Sequence, residues 1–144
     1  MTHLDLSVDD ELAPLELPPI SRTQLALFAG ASGDHNPIHI DVDFARAAGH
    51  ADVFAHGMLV MADLGRLRTD AFPIGALRRF STRFTAITHV HDRLTCRGRV
   101  AEILEADGER LARLDLSVTD QSGEQKLAGA ATVALPSSKA ARDS

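Results

Sequence analysis

Hydrophobic and polar positions follow two different periods in the two halves of the chain. In the first half Leu25, Leu27, Phe28 and Ala31 recur at roughly helical spacing. Ser21-Arg22-Thr23-Gln24 ahead of them fits a capping box, and Ser32-Gly33 suits a helix stop. Asp41 is placed to cap a short helix over 42–48 that ends at Gly49. A third helix is expected over 57–69. There Met58, Leu59, Val60, Met61, Ala62, Leu64 and Leu67 cover most of the circumference, the mark of a buried helix.

The second half alternates with period two. Phe80 and Phe84 oppose Arg79, Ser81, Arg83 and Thr85. Leu94, Cys96, Gly98 and Val100 oppose Thr95, Arg97 and Arg99. Leu114, Leu116 and Val118 oppose Arg113, Asp115, Ser117 and Thr119. Leu127, Ala131, Val133 and Leu135 form a fourth, weaker set. Such alternation predicts half-buried antiparallel strands, with turns at Asp107-Gly108 and Ser122-Gly123. Helices followed by strands define an α+β fold, with a sheet curled around one apolar helix. The exposed edge of such a sheet is commonly hidden by a second copy, so a homodimer is expected.

Length and composition fit this picture. The 144 residues make one domain, expected over 14–136, with a loosely ordered acidic segment over 1–13 and a polar tail over 137–144. Hydrophobic residues are 44% and charged residues 24%, as in a folded globular protein. A net charge of −5 with scattered Lys and Arg argues against a nucleic-acid partner. The longest apolar run is too short to span a membrane. The acidic N-terminus does not read as a signal peptide, and one cysteine, Cys96, allows no internal disulfide. A cytoplasmic protein is the expectation.

The chemistry concentrates in Ser32-Gly33-Asp34-His35-Asn36-Pro37-Ile38-His39-Ile40-Asp41. Asp34 and His39 lie five positions apart on a segment that Gly33 and Pro37 keep from being a plain helix. Two proton-handling groups on a rigid loop suit water addition or elimination, and the same residues also make good turn chemistry. His35 and His39 would share a metal only on a helix, which Pro37 prevents. His56 fits a helix cap, Met58 and Met61 fit core filler, and Arg78 and Arg79 fit a solvated strand end, with a phosphate contact as the rarer alternative.

This loop, with Phe44, Ala45 and the later His56-Gly57-Met58, closely resembles the MaoC-like (R)-specific enoyl-CoA hydratases and (3R)-hydroxyacyl-thioester dehydratases. The resemblance runs over about 20–135 and takes in Val90-His91-Asp92-Arg93-Leu94, where glycine is more usual at position 91. It implies the hotdog fold, an antiparallel sheet wrapped around a long central helix. It implies Asp34 and His39 as the catalytic pair that activates one water. Gly57 would supply an amide to the thioester carbonyl, with glycine there letting substrate approach the backbone. Ser32, Asn36, His56 and Met58 are the implied substrate-binding set. Coenzyme A or a carrier protein would hold the acyl group, with no metal or redox cofactor and with a homodimer or a related second subunit as partner. Many members carry a serine two turns into the buried helix, where this chain has Gly65. Two rival expectations are a non-catalytic hotdog subunit and a hotdog thioesterase, the latter with Asp63 as its weak candidate carboxylate.

Overall fold

The computed structural model describes residues 6–136. Five strands form one antiparallel sheet in the order β1-β3-β4-β5-β2: Leu15–Glu16 (β1), Leu77–Phe84 (β2), Thr95–Ala106 (β3), Glu109–Thr119 (β4) and Gln125–Ala134 (β5). Three helices precede β2: Arg22–Ser32 (α1), Val42–Ala47 (α2) and Gly57–Ala71 (α3). The long helix α3 packs on β3 and β4, so the sheet around one helix expected from the residue pattern, and the hotdog fold implied by the resemblance, are the arrangement observed.

Local chemistry sets the element ends. Ser21 Oγ accepts the Gln24 amide at 3.1 Å, and Gly33 closes α1 in the left-handed region at φ 77°. Asp41 accepts the amides of Asp43 and Phe44 and so starts α2. Asp107 and Gly108, with φ of 51° and 78°, form the two-residue turn between β3 and β4, where positive φ at both positions matches the twist of the strands.

The core lies between α3 and the sheet. Leu64 and Leu67 from the helix meet Leu94, Val100, Leu114, Val118, Leu127 and Val133 from the alternating strand positions, all essentially solvent-free. The helix is less uniformly buried than its sequence suggests. Met58 is 57% exposed, so the core-filler reading fails for it, while Met61 packs against the core.

The N-terminal boundary also differs from expectation. Residues 6–13 do not hang loose. They run along the edge of β3 beyond β1, with Asp9 N donating to Val100 O at 2.8 Å and Leu12 N to Gly98 O at 2.9 Å. Glu11 bridges to Arg99, and Leu6 is buried in the core at 6% exposure. The acidic side chains of this stretch face outward, where Asp9 pairs with Arg99, and they mask an edge segment whose two leucines point inward. Residues 1–5 and the expected tail over 137–144 lie outside the described residues. Among the described residues, no helix is long and apolar enough to cross a membrane.

Leu6→Ala therefore removes a core side chain and is expected to cost about 2–3 kcal/mol in urea denaturation. An unchanged unfolding midpoint would show that the segment adds nothing to the core.

Candidate active site

The loop after α1 is built from short side-chain bonds to its own backbone. Ser32 Oγ accepts the Asp34 amide, Asp34 Oδ1 accepts the Asn36 amide, and Asn36 Oδ1 accepts the Ile38 amide at 3.1 Å. Asn36 thereby caps a single 3-10 turn over Pro37–His39, in which proline sits at the first position, where its missing N–H costs nothing. Ser32 and Asn36, expected among the substrate-binding residues, thus hold the loop, and neither lines the cavity described below.

The turn aims His39 back at the protein. Its Nδ1 lies 2.7 Å from the carbonyl oxygen of Phe54, so Nδ1 carries the hydrogen and donates, and Nε2 is left with a lone pair. The Phe54 ring meets the imidazole edge-on at 5.2 Å. His56 stacks on the other side, with centroids 3.9 Å apart and 28° between planes. The loop and the residues leading into α3 are thus tied together at one histidine.

His56 is 1% exposed and stands at the N-cap of α3, yet its side chain makes no cap bond. The capping role expected of it is replaced by another. Its Nε2 donates to the carbonyl oxygen of Asp34 at 3.2 Å, and Phe28 packs against its ring at 4.9 Å. The opposite nitrogen, Nδ1, is buried without a partner. Burial first, and the neighbouring His39 second, push the His56 pKa below the ordinary value for histidine, which keeps the ring neutral. Neither His39 nor His56 lines the cavity itself; Asp34 is the member of the cluster that borders it.

One carboxylate oxygen of Asp34, one ring nitrogen of His39 and one of His56 lie within 4.8 Å of one another. That separation lets one water, at about 2.8 Å from each, bridge Asp34 and His39. The set fits a metal poorly. Imidazole lone pairs lie in the ring plane, and two rings stacked nearly parallel aim theirs side by side rather than at a common point.

Asp34 opens onto a cavity of about 520 Å3 whose walls are mostly apolar: Phe54, Ala55, Met58, Val60, Phe84 and Ile87, with Gly57 at the start of α3. His56 leaves the helix end uncapped by a side chain, so the start of this 15-residue helix, with Gly57 and Met58 bordering the cavity, carries the positive end of the helix dipole there. Glycine at position 57 also has a neighbour within the chain. A Cβ there would stand 2.9 Å from Cε1 of Phe84, so the missing side chain makes room for that ring, which is 52% exposed across the cavity. Gly65 does not line the cavity, and a Cβ on it would meet only Phe80, at an ordinary 3.7 Å.

Lys126 also borders the cavity and was not singled out from the sequence. It is 2% exposed, and its ammonium lies among Asp92, Asp120 and Glu124. Burial alone would lower its pKa, but the bond to Glu124 and the charges of the three carboxylates outweigh that and hold the amine protonated.

Other polar clusters are less suited to chemistry. A cleft of about 340 Å3 near the N-terminal segment holds Arg97 and Arg99, but Arg99 is engaged by Asp9 and Asp115 and Arg97 donates to Thr119. Asp63 is buried away from the main cavity. One of its oxygens faces Arg66 at 3.6 Å and the other has no partner, and burial raises its pKa. Cys96 is solvent-free and burial pushes its thiol up to about 12, so it is no nucleophile. Arg78 pairs with Glu109, as a solvated strand end does.

Fold and site together define a hotdog-fold domain in which an aspartate and two histidines cluster near the start of the long helix. The chain belongs to the MaoC-like family: the family described as "MaoC like domain" matches residues 8–121. Among curated relatives, a mitochondrial 3-hydroxyacyl-[acyl-carrier-protein] dehydratase, FERN, from Solanum lycopersicum is 27% identical over 104 residues, or 72% of this chain. The match spans 63% of that relative, less than two-thirds of its length. Among solved structures, the R-hydratase PhaJ1 from Pseudomonas aeruginosa is 29% identical with a TM-score of 0.83, covering 94% of this chain and 85% of that one. The (R)-hydratase of A. caviae is 28% identical with a TM-score of 0.80, over 92% and 98% of the two chains.

The depressed His56 pKa has a thermodynamic sign. The unfolded chain binds that proton more readily than the folded one, so stability is full above the unfolded value of about 6.5 and falls as pH drops below it. His56→Phe keeps a flat ring in the stack and removes the titration. Its melting temperature is expected to fall less than that of the wild type between pH 7.5 and 5.5. Equal slopes would mean that His56 titrates alike in the folded and unfolded chains.

Proposed function

We propose that this protein is a hydro-lyase that interconverts trans-2-enoyl and (3R)-3-hydroxyacyl thioesters by addition and elimination of water. The observation that carries this reading is the convergence of Asp34 and His39 within reach of one water, beside an apolar cavity that also contains the N-terminus of α3. The names of the relatives, hydratases and hydroxyacyl-thioester dehydratases, favour the same chemistry.

In hydration, the water held by Asp34 and His39 places its oxygen on C3 of the enoyl group. The pair accepts a proton from that water, His39 through the Nε2 lone pair left by its bond to Phe54. Electrons from the C2–C3 double bond move to the thioester oxygen as an enolate. The Gly57 amide and the helix dipole stabilise that charge. A proton returned to C2 from the pair completes the addition, and dehydration runs the same path backwards. The two groups share the one water, so no single order of proton transfer is assigned to either residue.

The substrate is an acyl thioester of coenzyme A or of an acyl carrier protein, with its acyl part among Phe54, Met58, Val60, Phe84 and Ile87. Met58 keeps the substrate-contacting role that the family resemblance implies, and it reaches the cavity from an exposed face rather than from the core. The outer edge of β2, which pairs only with β5, is the surface for a second copy of this chain or a related subunit. The single, buried Cys96 suits a reducing compartment such as the cytoplasm. The non-catalytic reading leaves the Asp34–His39 convergence unexplained. The thioesterase reading lacks a carboxylate at the cavity other than Asp34, since Asp63 points elsewhere.

Loss of conjugated enoyl absorbance with crotonyl-CoA and longer enoyl-CoAs tests the reading. Asp34→Asn and His39→Ala are each expected to lower kcat by about 10²–10⁴ while the protein stays folded. Near-normal hydration by either variant, or an inactive wild type across the whole chain-length series, would refute it.

A further inference from the structure

Lys126 is too deeply buried for an ordinary strand lysine, and the reaction derived above makes no use of it. Its ammonium donates to the carbonyl oxygen of Ile87 at 2.8 Å and to Glu124 at 2.5 Å, with Asp120 at 3.4 Å and Asp92 at 3.5 Å. Every partner is an acceptor, and a bulk anion has no room among three carboxylates. The ammonium therefore does not hold a substrate; it holds the chain.

What it holds is the segment over 85–92, which forms one wall of the cavity. At one end of that segment the Thr85 amide donates to the carbonyl of Lys126 itself, and the Thr85 hydroxyl to the Gln125 carbonyl. In the middle the ammonium takes the Ile87 carbonyl. At the other end Asp92, which faces the ammonium with Oδ2, accepts the His89 amide on the same oxygen at 2.8 Å. The wall in turn grips the residues before α3: the Ala55 amide donates to Thr88 O at 2.9 Å, and Phe54 bridges to His89. Phe54 O is the acceptor that fixes His39. Hydrogen bonds linked through the backbone at 87–88 and 54–55 thus connect a buried cation on β5 to the ring of the general base.

The geometry points to Lys126 as a positioning residue for the hydration site: through Ile87 and the 85–92 wall it sets where the Phe54 carbonyl stands, and so how His39 is aimed. This rests on the hydro-lyase reading. Misplacement of a catalytic group by about 1 Å costs up to about 10²-fold in rate, so a support of this kind is read in kcat rather than in binding.

Lys126→Met keeps the aliphatic stem along the cavity and removes the ammonium. With rates normalised to folded protein, kcat on crotonyl-CoA is expected to fall about tenfold, with KM within about threefold of wild type. In a His39→Ala background the same change is expected to cost less than about twofold, because the residue through which Lys126 acts is already gone. A purely structural lysine would lower the melting temperature and leave normalised kcat in place. A kcat within about threefold of wild type, or an undiminished loss in the His39→Ala background, overturns the proposal. If the methionine variant does not fold, amide exchange of the wild type decides. Ala55 and His89 amides protected like those of β5 support a pinned wall, and exchange at loop rates overturns it. Failure of the hydro-lyase reading is separate, since it would show as an inactive wild type on every enoyl-CoA.

Discussion

The 2.7 Å hydrogen bond from His39 Nδ1 to the Phe54 carbonyl is the constraint on which the site depends. It joins two stretches of chain fifteen residues apart, each shaped by its own local rules. On one side a proline-locked turn presents the ring. On the other the backbone runs straight into α3. The bond sets the tautomer, and the tautomer decides whether Nε2 can accept a proton from water. Without it, the loop would be tied to the start of α3 chiefly through His56, since its own side-chain bonds go to its own backbone.

The surrounding structure makes that bond durable in two ways. His56 lies against the ring and bonds to the Asp34 carbonyl, so one neutral, buried imidazole steadies both members of the pair. Its neutrality matters, because a second positive ring stacked at 3.9 Å would oppose any proton arriving on His39. Behind Phe54 stands the wall pinned by Lys126, an arrangement with the opposite electrostatics, in which one cation is surrounded by carboxylates. The apolar cavity lies between the two.

The features legible in the sequence are those that local rules decide. Ser21, Gly33, Asn36, Asp41 and the Asp107-Gly108 turn each do in the structure what their chemistry favours, and period-two alternation located four of the five strands. Features set by distant partners were not legible. The two-residue β1 and the edge segment from Leu6 to Leu12 pair with β3, some ninety residues away, beneath an acidic exterior that reads as a loose terminus. Lys126 stands where an alternating strand should show solvent, and its burial follows from carboxylates at 92, 120 and 124 that only the fold assembles. His56 has the position of a cap, but its ring turns away to a carbonyl twenty-two residues upstream. Gly57 was legible as a glycine that something approaches, while the approaching group, Phe84, needed the sheet to be in place.

The account's central claim is that His39 meets the shared water with an unprotonated Nε2 because Phe54 holds the hydrogen on Nδ1. Nitrogen-15 NMR of the histidine ring measures this directly. The predicted result is a His39 ring with the hydrogen on Nδ1 and a bare Nε2. A ring carrying its hydrogen on Nε2 would leave the site with no base facing Asp34 and would contradict the account.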